Sequence, residues 1–288
     1  MSTKHFNRRN FLKVSGGTLG AAAAGFSLYT PSASAAKARV VVVGGGMGGA
    51  TAARYIKKGD PSIDVTLVEA NPTYHSCFMS NFVVVGERKL DYLAHGYDGL
   101  KAEGINVVYD RVIGIDDNAV KTAGGKSLPF DRCVVSPGVG FKFIEGHSEE
   151  VANTTITHAW KAGKQTQIFH DQLAAMKDGG TVIIGAPRNP FRCPPGPYER
   201  TSLVAGYLKK HKPKSKVIVL DPKDKFSKFG LFTEGWRNHY GYGTDDSLIT
   251  WVKGAEGGAL EAVDADTMTV SAEIEEFTAD VINIIPDQ

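Results

Sequence analysis

Short runs of β-branched residues alternate along the chain with longer segments that mix apolar and polar positions. Apolar runs of four to six residues are typical of strands buried on both faces of a parallel sheet. The predicted strands are 39–43, 65–68, 180–185 and 216–221, and the predicted helices between them are 50–58 and 197–210. Two such strand–helix–strand units predict an α/β protein with two Rossmann-like domains.

A glycine pattern follows the first predicted strand without a gap. Gly44, Gly46 and Gly49 form G-x-G-x-x-G, in which the first glycine allows the turn, the second lets a pyrophosphate approach and the third packs helix on strand. Glu69 ends the next strand twenty residues later, where a carboxylate binds ribose hydroxyls. The pattern predicts a dinucleotide site. Its expected cofactor-binding positions here are Gly44, Gly46, Met47, Gly48, Gly49, Glu69 and Ala70.

Two later segments favour FAD over NAD at this first site. Residues 130–138 resemble the strand and Ala-Thr-Gly turn that closes the first FAD segment of two-domain flavoproteins, with Ser136-Pro137-Gly138 in place of that turn. Val112 matches the strand that contacts adenine in such proteins. The first domain is therefore expected to bind FAD.

The turn after the third strand departs from the nucleotide-binding pattern. It retains Gly185 but carries Pro187 and Pro190 where a second fingerprint would stand. Proline has no backbone N–H, so a pyrophosphate would find fewer donors there. We therefore expect that NAD(P)H does not bind in the usual way.

The N-terminal segment, residues 1–35, predicts a signal peptide. Arg8 and Arg9 precede Phe-Leu-Lys, which resembles the twin-arginine export consensus, and an apolar stretch and Ala33-Ser34-Ala35 follow. Cleavage before Ala36 would leave a periplasmic protein, in a compartment where disulfides persist. The remainder holds 29 basic and 31 acidic residues, which gives no reason to expect nucleic-acid binding, and no transmembrane segment is predicted.

The chain has three cysteines, Cys77, Cys133 and Cys193. Cys133 lies in a hydrophobic strand, where a thiol usually packs as a small apolar group. Cys77 and Cys193 lie on predicted loops, where reactive groups are more often found. From spacing alone, each of these two is equally compatible with a structural thiol.

Residues 192–200, Arg-Cys-Pro-Pro-Gly-Pro-Tyr-Glu-Arg, closely resemble the flavoprotein subunit of flavocytochrome c sulfide dehydrogenase, as do residues 74–77 and the leader. The resemblance implies that Cys77 bonds covalently to FAD and that Cys193 is half of a redox-active disulfide. It implies sulfide as substrate and a c-type cytochrome subunit as electron acceptor. No metal site is expected.

Glu199 is a candidate proton carrier beside Cys193, although an acid in the first turn of a helix is also favoured by the helix dipole. His75 next to Cys77 could assist thiolate formation, and a packed histidine is an equal alternative.

Two features of the resembled family are missing from these residues. No cysteine follows Cys193 to complete the disulfide, and the Gly-Asp turn that closes the flavin site is absent. We therefore expect a C-terminal part to be missing. The predicted domains are the FAD-binding domain at 36–148, the second Rossmann-like domain at 149–265 and a return strand toward the FAD domain at 266–288.

Two other functions remain open from the sequence. One is an enzyme similar to sulfide:quinone reductase or to NADH-dependent flavoenzymes. The other is a non-catalytic partner subunit of a sulfur-oxidation complex.

Overall fold

The computed structural model describes residues 37–288, so the predicted signal peptide lies outside the described residues. The strands are β1 (Arg39–Val43), β2 (Asp64–Glu69), β3 (Tyr74–His75), β4 (Ala94–His95), β5 (Asn106–Tyr109), β6 (Val112–Ile115), β7 (Ala119–Thr122), β8 (Ser127–Pro129), β9 (Arg132–Val135), β10 (Thr181–Gly185), β11 (Lys216–Leu220), β12 (Ile249–Val252), β13 (Leu260–Asp264), β14 (Thr269–Ala272), β15 (Glu276–Thr278) and β16 (Val281–Ile284). The α-helices are α1 (Met47–Gly59), α2 (Ser80–Val84), α3 (Asp98–Ala102), α4 (Glu149–Ala152), α5 (Lys164–Ala175), α6 (Gly196–His211) and α7 (Phe229–Tyr240), and 3-10 turns lie at Leu90–Leu93 and Gly254–Glu256.

The first sheet is parallel and has the strand order β5-β2-β1-β9. Its inner strand β1 is the valine run, and Val42 is completely buried, as expected for a strand covered on both faces. Helix α1 begins at Met47, three residues before the predicted start. The chain passes directly from β1 through the glycines into the helix, so Gly48 and Gly49 belong to its first turn.

The second sheet is also parallel and has the order β12-β11-β10-β16. Helices α5 and α6 pack beside it, and they bury Phe169, Leu173, Val204 and Leu208 in one apolar cluster with the strand residues. The predicted α/β fold with two Rossmann-like units is confirmed by these two sheets.

Residues 266–288, predicted as a return strand toward the FAD domain, include β14, β15 and β16, and the backbone of Asp287 pairs with Lys142 of the predicted FAD-binding domain. Strand β16 does not pair with the first sheet but lies beside β10, with Val182 opposite Val281. The predicted boundary after residue 265 also divides a small antiparallel sheet, β13-β14-β15. All of β16 is buried, Asn283 included, and a short buried strand suits either sheet, so its pattern does not identify its partner.

Two further small antiparallel sheets, β3-β4 and β6-β7-β8, flank the first sheet. Within residues 37–288, no helix has both the length and the apolar character needed to cross a bilayer. Over the same residues, no group of three or more His, Cys, Asp or Glu side chains is arranged to hold a metal ion.

Candidate active site

The carboxyl ends of β1, β2 and β9 open into one cavity of about 710 Å³. One part of its wall is the glycine turn and the start of α1, where unpaired helix N–H groups favour a phosphate. Every predicted cofactor-binding residue except Gly49 lines it: Gly44, Gly46, Met47, Gly48, Glu69, Ala70, Cys77, Val112, Ser136, Pro137 and Gly138.

Gly49 lies beneath the turn and has the packing position that the fingerprint predicts for its third glycine. A Cβ there would stand 1.7 Å from the carbonyl oxygen of Gly44 and 3.3 Å from Val42 Cγ1. Gly44 itself has a φ of +93°, and a Cβ on it would stand 2.2 Å from the carbonyl oxygen of Ser136. Both positions therefore require glycine for steric reasons.

The carboxylate of Glu69 holds the glycine turn in place. It accepts hydrogen bonds from the backbone N–H of Gly45 at 2.6 Å and of Asn71 at 2.9 Å. Tyr97, which is buried, donates its hydroxyl to the Gly45 carbonyl at 3.0 Å. A carboxylate has about four lone-pair sites, so Glu69 keeps capacity for the ribose hydroxyls that the fingerprint assigns to it.

Cys77 lies on the cavity wall in the segment between β3 and α2. Its carbonyl accepts the backbone N–H of Ser80 at 3.2 Å and the Ser80 hydroxyl at 2.8 Å, which fixes the turn that presents the thiol. Tyr74 lies next to it, and burial, together with the neighbouring thiol, raises the pKa of that phenol.

Cys193 lies on the exposed loop that leads into α6, with a left-handed φ of +60°. The cavity wall is formed not by Cys193 but by its neighbour Arg192. Burial of the Cys193 sulfur raises the pKa of the thiol, and the carboxylate of Glu199 adds to the rise. The N–H of Gly196 and the charge of Arg192 act in the opposite direction.

The end of the cavity nearest Cys77 carries positive charge. Lys161 and Arg192 line it, and both also line an adjoining cavity of about 530 Å³ that includes Cys77, His75 and Lys164. Arg192 donates to the Trp160 carbonyl, which holds its guanidinium at this position. Anions are therefore attracted to the same end of the cavity as the thiol.

The shape and chemistry of this cavity fit FAD. A helix N-terminus without obstructing side chains stands where a pyrophosphate binds, and Glu69 stands beside it for the ribose. Asp110, Arg111 and Val112 line the wall at the segment predicted to contact adenine. Cys77 lines the same cavity.

Within residues 37–288, the second sheet lacks an accessible carboxylate and an open turn equivalent to those of the first. Asp221, in the position that Glu69 has in the first unit, is completely buried. Its carboxylate accepts from Tyr198 Oη at 2.7 Å and Trp251 Nε1 at 3.1 Å and pairs with Lys223 at 2.7 Å. It therefore cannot reach a ribose.

The turn after β10 is also closed to a pyrophosphate. The backbone N–H of Arg188 already donates to Asp287 at 2.7 Å, and the Pro187 carbonyl accepts from Lys223 at 2.5 Å. Ten residues separate Gly185 from the start of α6, whereas only three separate β1 from α1.

Several residues of the site were not predicted from the sequence. Tyr97 and Lys161 reach it from distant segments, and no local pattern indicates either one. Arg192 could have been predicted as a site residue, because it is the basic residue directly before Cys193 in the motif at residues 192–200. His75 lines the adjoining cavity, while Cys133 packs in a half-buried position on β9.

Two protein-family models match the chain. The model described as "Pyridine nucleotide-disulphide oxidoreductase" matches residues 38–186, and the model described as "Sulfide dehydrogenase [flavocytochrome c] flavoprotein chain, central" matches residues 166–286. Together they cover both parallel sheets.

Curated relatives agree with the second model. The "Sulfide dehydrogenase [flavocytochrome c] flavoprotein chain" of Chlorobaculum thiosulfatiphilum is 60% identical over 45 residues, which are 16% of this chain and 94% of that sequence. The mitochondrial sulfide:quinone oxidoreductase of Mus musculus is 25% identical over 185 residues, 62% of this chain. The chain spans 41% of the length of that mouse relative.

Solved structures support the fold alone at these identities. The sulfide:quinone oxidoreductase of Aquifex aeolicus superposes with a TM-score of 0.69 at 22% identity, over 87% of this chain and 58% of that one. The water-forming NADH oxidase of Lactobacillus brevis gives 0.65 at 16% identity, over 88% and 54%. The resemblance inferred from the cysteine motifs is confirmed by the family models and the 60% identical relative. The chain belongs to the pyridine nucleotide-disulphide oxidoreductases and, within them, to the flavoprotein chains of flavocytochrome c sulfide dehydrogenase.

Proposed function

We propose that this protein oxidises sulfide through Cys193 and FAD and passes the electrons to a c-type cytochrome subunit. The observation that carries the proposal is the position of Cys77 on the wall of the dinucleotide cavity, with Arg192 of the Cys193 loop on the same wall. The thiol for the cofactor thus lies on the cavity wall, and the thiol for the substrate is the next residue after a cation of the same wall.

FAD is the cofactor that the family implies, and the fit of the cavity supports it. The glycine turn, Glu69 and the segment at Val112 would hold its nucleotide part, and Cys77 would bond to its ring system as a thioether. When bound, FAD would supply an acceptor that takes up two electrons together and releases them one at a time. It can therefore connect a dithiol, which donates two electrons, to a haem, which accepts one.

The chemistry at Cys193 is a thiol–disulfide exchange. Hydrosulfide attacks a disulfide that includes Cys193, a new S–S bond forms to the incoming sulfur, and the old one breaks to release a thiolate. The proton of the hydrosulfide passes to Glu199, one helical turn from the cysteine loop. Residues 194–288 contain no second cysteine, so the proposal requires one from outside these residues.

The sulfide-binding end attracts its substrate electrostatically. Hydrosulfide is an anion, and Lys161 and Arg192 line the cavity near Cys77. The reaction is expected to involve proton transfer and not hydride transfer from NAD(P)H, because the backbone N–H of the second nucleotide turn already donates to Asp287 and the carboxylate of Asp221 is buried. These contacts favour a small anionic donor over NAD(P)H.

Export through the twin-arginine route is part of the proposal. Arg8 and Arg9 and the small-residue site before Ala36 support cleavage and a periplasmic location. This route carries folded proteins, so FAD would be bound before export. A periplasmic location would also bring the protein to c-type cytochromes and allow the Cys193 disulfide to persist.

A quinone is the second candidate acceptor, because sulfide:quinone oxidoreductases are among the relatives and share the fold. The two are separated by adding either a soluble quinone analogue or ferric cytochrome c to the sulfide-reduced protein. Rapid reoxidation by the cytochrome alone supports the proposal, and rapid reoxidation by the quinone alone supports the second candidate.

The experiment that tests the role of Cys193 is an anaerobic titration of the full-length, flavin-loaded protein with sulfide. We expect sulfide to bleach the flavin absorbance of the wild-type protein and of Cys133→Ser, and not of Cys193→Ser. Cys133 is the matched control because it is a half-buried thiol on β9 that packs against an apolar cluster. Equal bleaching of Cys193→Ser and wild type would exclude the thiol exchange.

A further inference from the structure

Arg200 on α6 is a buried cation whose hydrogen-bond acceptors are all uncharged. Its side chain is 2% exposed. Nε donates to Asn81 Oδ1 at 3.0 Å, and Nη1 donates to the His158 carbonyl and to Asn283 Oδ1, both at 2.7 Å. Nη2 donates to the Ala159 carbonyl at 2.9 Å. Burying a charge without an opposite one is costly, so a protein that retains such a residue gains something else from it.

The four acceptors come from three separate parts of the chain. Asn81 lies on α2, four residues after Cys77, and Asn283 lies on β16. Arg200 itself follows Cys193 by seven residues on the helix that the cysteine loop enters. The guanidinium therefore ties the segment of one thiol to the helix of the other.

Trp160 connects the guanidinium to the sulfur of Cys193. A Cβ at Gly196 would stand 2.6 Å from Trp160 Cη2 and 3.1 Å from Cys193 Sγ, so the indole and the sulfur crowd the same glycine. Arg200 Cζ lies 5.1 Å from the centre of the Trp160 ring. The cation thus lies over the indole whose edge, like the sulfur, lies beside Gly196.

The indole also offers a donor on the side of the ring that bears Cζ2. Trp160 Nε1 is buried and has no hydrogen-bond partner within residues 37–288. Nε1 and Cζ2 are bonded to the same ring carbon, and Cζ2 stands 3.3 Å from the Cβ position of Gly196. A buried donor without a partner is suited to an anionic sulfur that approaches this edge of the indole.

We propose that Arg200 is a positioning residue whose buried charge, acting across Trp160, favours the anionic form of the Cys193 sulfur against the burial and the Glu199 carboxylate that disfavour it. This inference deepens the proposed function and rests on its assignment of Cys193 as the reacting thiol. When the thiol loses its proton to solvent or to Glu199, the thiolate is retained because the buried cation attracts it.

The other charged and titratable groups around this pair are few. Burial and the Glu199 carboxylate raise the pKa of Cys193, the thiol of Cys77 adds to this, and Arg192 lowers it. Burial lowers the pKa of Arg200 to about 10, while the Glu199 carboxylate and the Cys193 thiol act in the opposite direction, so the guanidinium remains protonated at neutral pH. Burial lowers the pKa of His158 to about 3, so that ring is neutral and contributes no charge.

The test adds a compensating charge with almost no change in shape. Asn81→Asp keeps the oxygen that accepts from Arg200 and makes it anionic. The pH dependence of Cys193 alkylation by iodoacetamide is then measured by mass spectrometry of the Cys193 peptide. The sample is full-length, flavin-loaded protein reduced with dithiothreitol under nitrogen. Asn118→Asp, on the exposed turn before β7, adds the same charge elsewhere and is the matched control.

We expect Asn81→Asp to slow Cys193 alkylation at neutral pH about three- to tenfold, as a charge change across a partly buried site of intermediate dielectric predicts. Its profile moves to higher pH, and Asn118→Asp alkylates at the wild-type rate. An Asn81→Asp rate equal to that of the control would overturn the proposal.

A second pair of variants separates charge from packing. Arg200→Lys keeps the charge and Arg200→Gln removes it, while both lose the forked hydrogen bonds. The two variants are compared in samples of equal melting temperature. If Arg200→Lys is alkylated faster than Arg200→Gln, the proposal is supported, and equal rates refute it. Alkylation uses no sulfide. If sulfide does not bleach the flavin but Asn81→Asp still slows alkylation of Cys193, the proposed function is rejected and this inference stands.

Discussion

Substitution of alanine at two glycines of α1, Gly49 and Gly59, tests the fingerprint, because the two changes are expected to shift the free energy of unfolding in opposite directions. Substitution of glycine by alanine in a helix normally stabilises a protein by about 0.5–1 kcal/mol, since alanine loses less conformational entropy. At Gly59 a Cβ meets nothing within 4 Å, so Gly59→Ala should gain that amount. At Gly49 the same Cβ would stand 1.7 Å from the Gly44 carbonyl oxygen.

The Gly49 contact is too short to be relieved by a side-chain rotation, because the atom it meets is backbone. The helix must move away from β1 by more than an ångström, and overpacking of this kind costs about 1–3 kcal/mol or more. Gly49→Ala should therefore lose about 2 kcal/mol net, which lowers the melting temperature by about 4–8 °C for a chain of this size. The displacement also disturbs the turn that faces the pyrophosphate.

The assay is urea unfolding of both variants and the wild type, each loaded with FAD, together with the fraction of protein that retains flavin. We expect Gly49→Ala to be less stable and to retain less flavin, and Gly59→Ala to retain the wild-type amount. Equal stability of the two variants would refute the assignment of Gly49 as the packing glycine of the dinucleotide turn.

Three further changes have expected outcomes. Cys77→Ala should release its flavin into the supernatant after acid precipitation, whereas the wild-type pellet stays yellow; flavin lost from both would rule out the thioether. Glu199→Gln removes an anion that raises the pKa of Cys193, so the alkylation profile of that thiol should move to lower pH, and a shift to higher pH would contradict the geometry. Tyr198→Phe removes a hydrogen bond to the buried carboxylate of Asp221 and should lower the free energy of unfolding by about 1.5–3 kcal/mol, measured in urea; no loss would show that the cluster around that carboxylate is not structural.

The elements that periodicity and turn chemistry determine were predictable from the sequence. The valine run of β1 and the glycines after it are local signals, and both lie where they were predicted. The second unit was recognised in the same way, through β10, α6 and β11. The loss of its nucleotide site was visible in Pro187 and Pro190, which remove donors from the turn.

Contacts between distant segments account for what the sequence did not predict. Strand β16 is apolar except for the buried Asn283, and such a short strand fits either sheet, so its pairing with β10 depends on packing that no local pattern records. Tyr97 supports Gly45 across 52 residues, and a lone tyrosine carries no signal for that role. Arg200 looks like an ordinary helix residue in the motif, and only burial shows its charge to be sealed.

The central claim is that the flavin of this protein takes electrons from sulfide at a thiol and not from a nicotinamide. The most direct measurement mixes full-length, flavin-loaded protein anaerobically with excess sulfide or with excess NADH and follows flavin absorbance in time. We expect sulfide to bleach the flavin and NADH to leave it oxidised, because Asp221 is sealed and the second turn is closed. Bleaching by NADH with no response to sulfide would contradict the account.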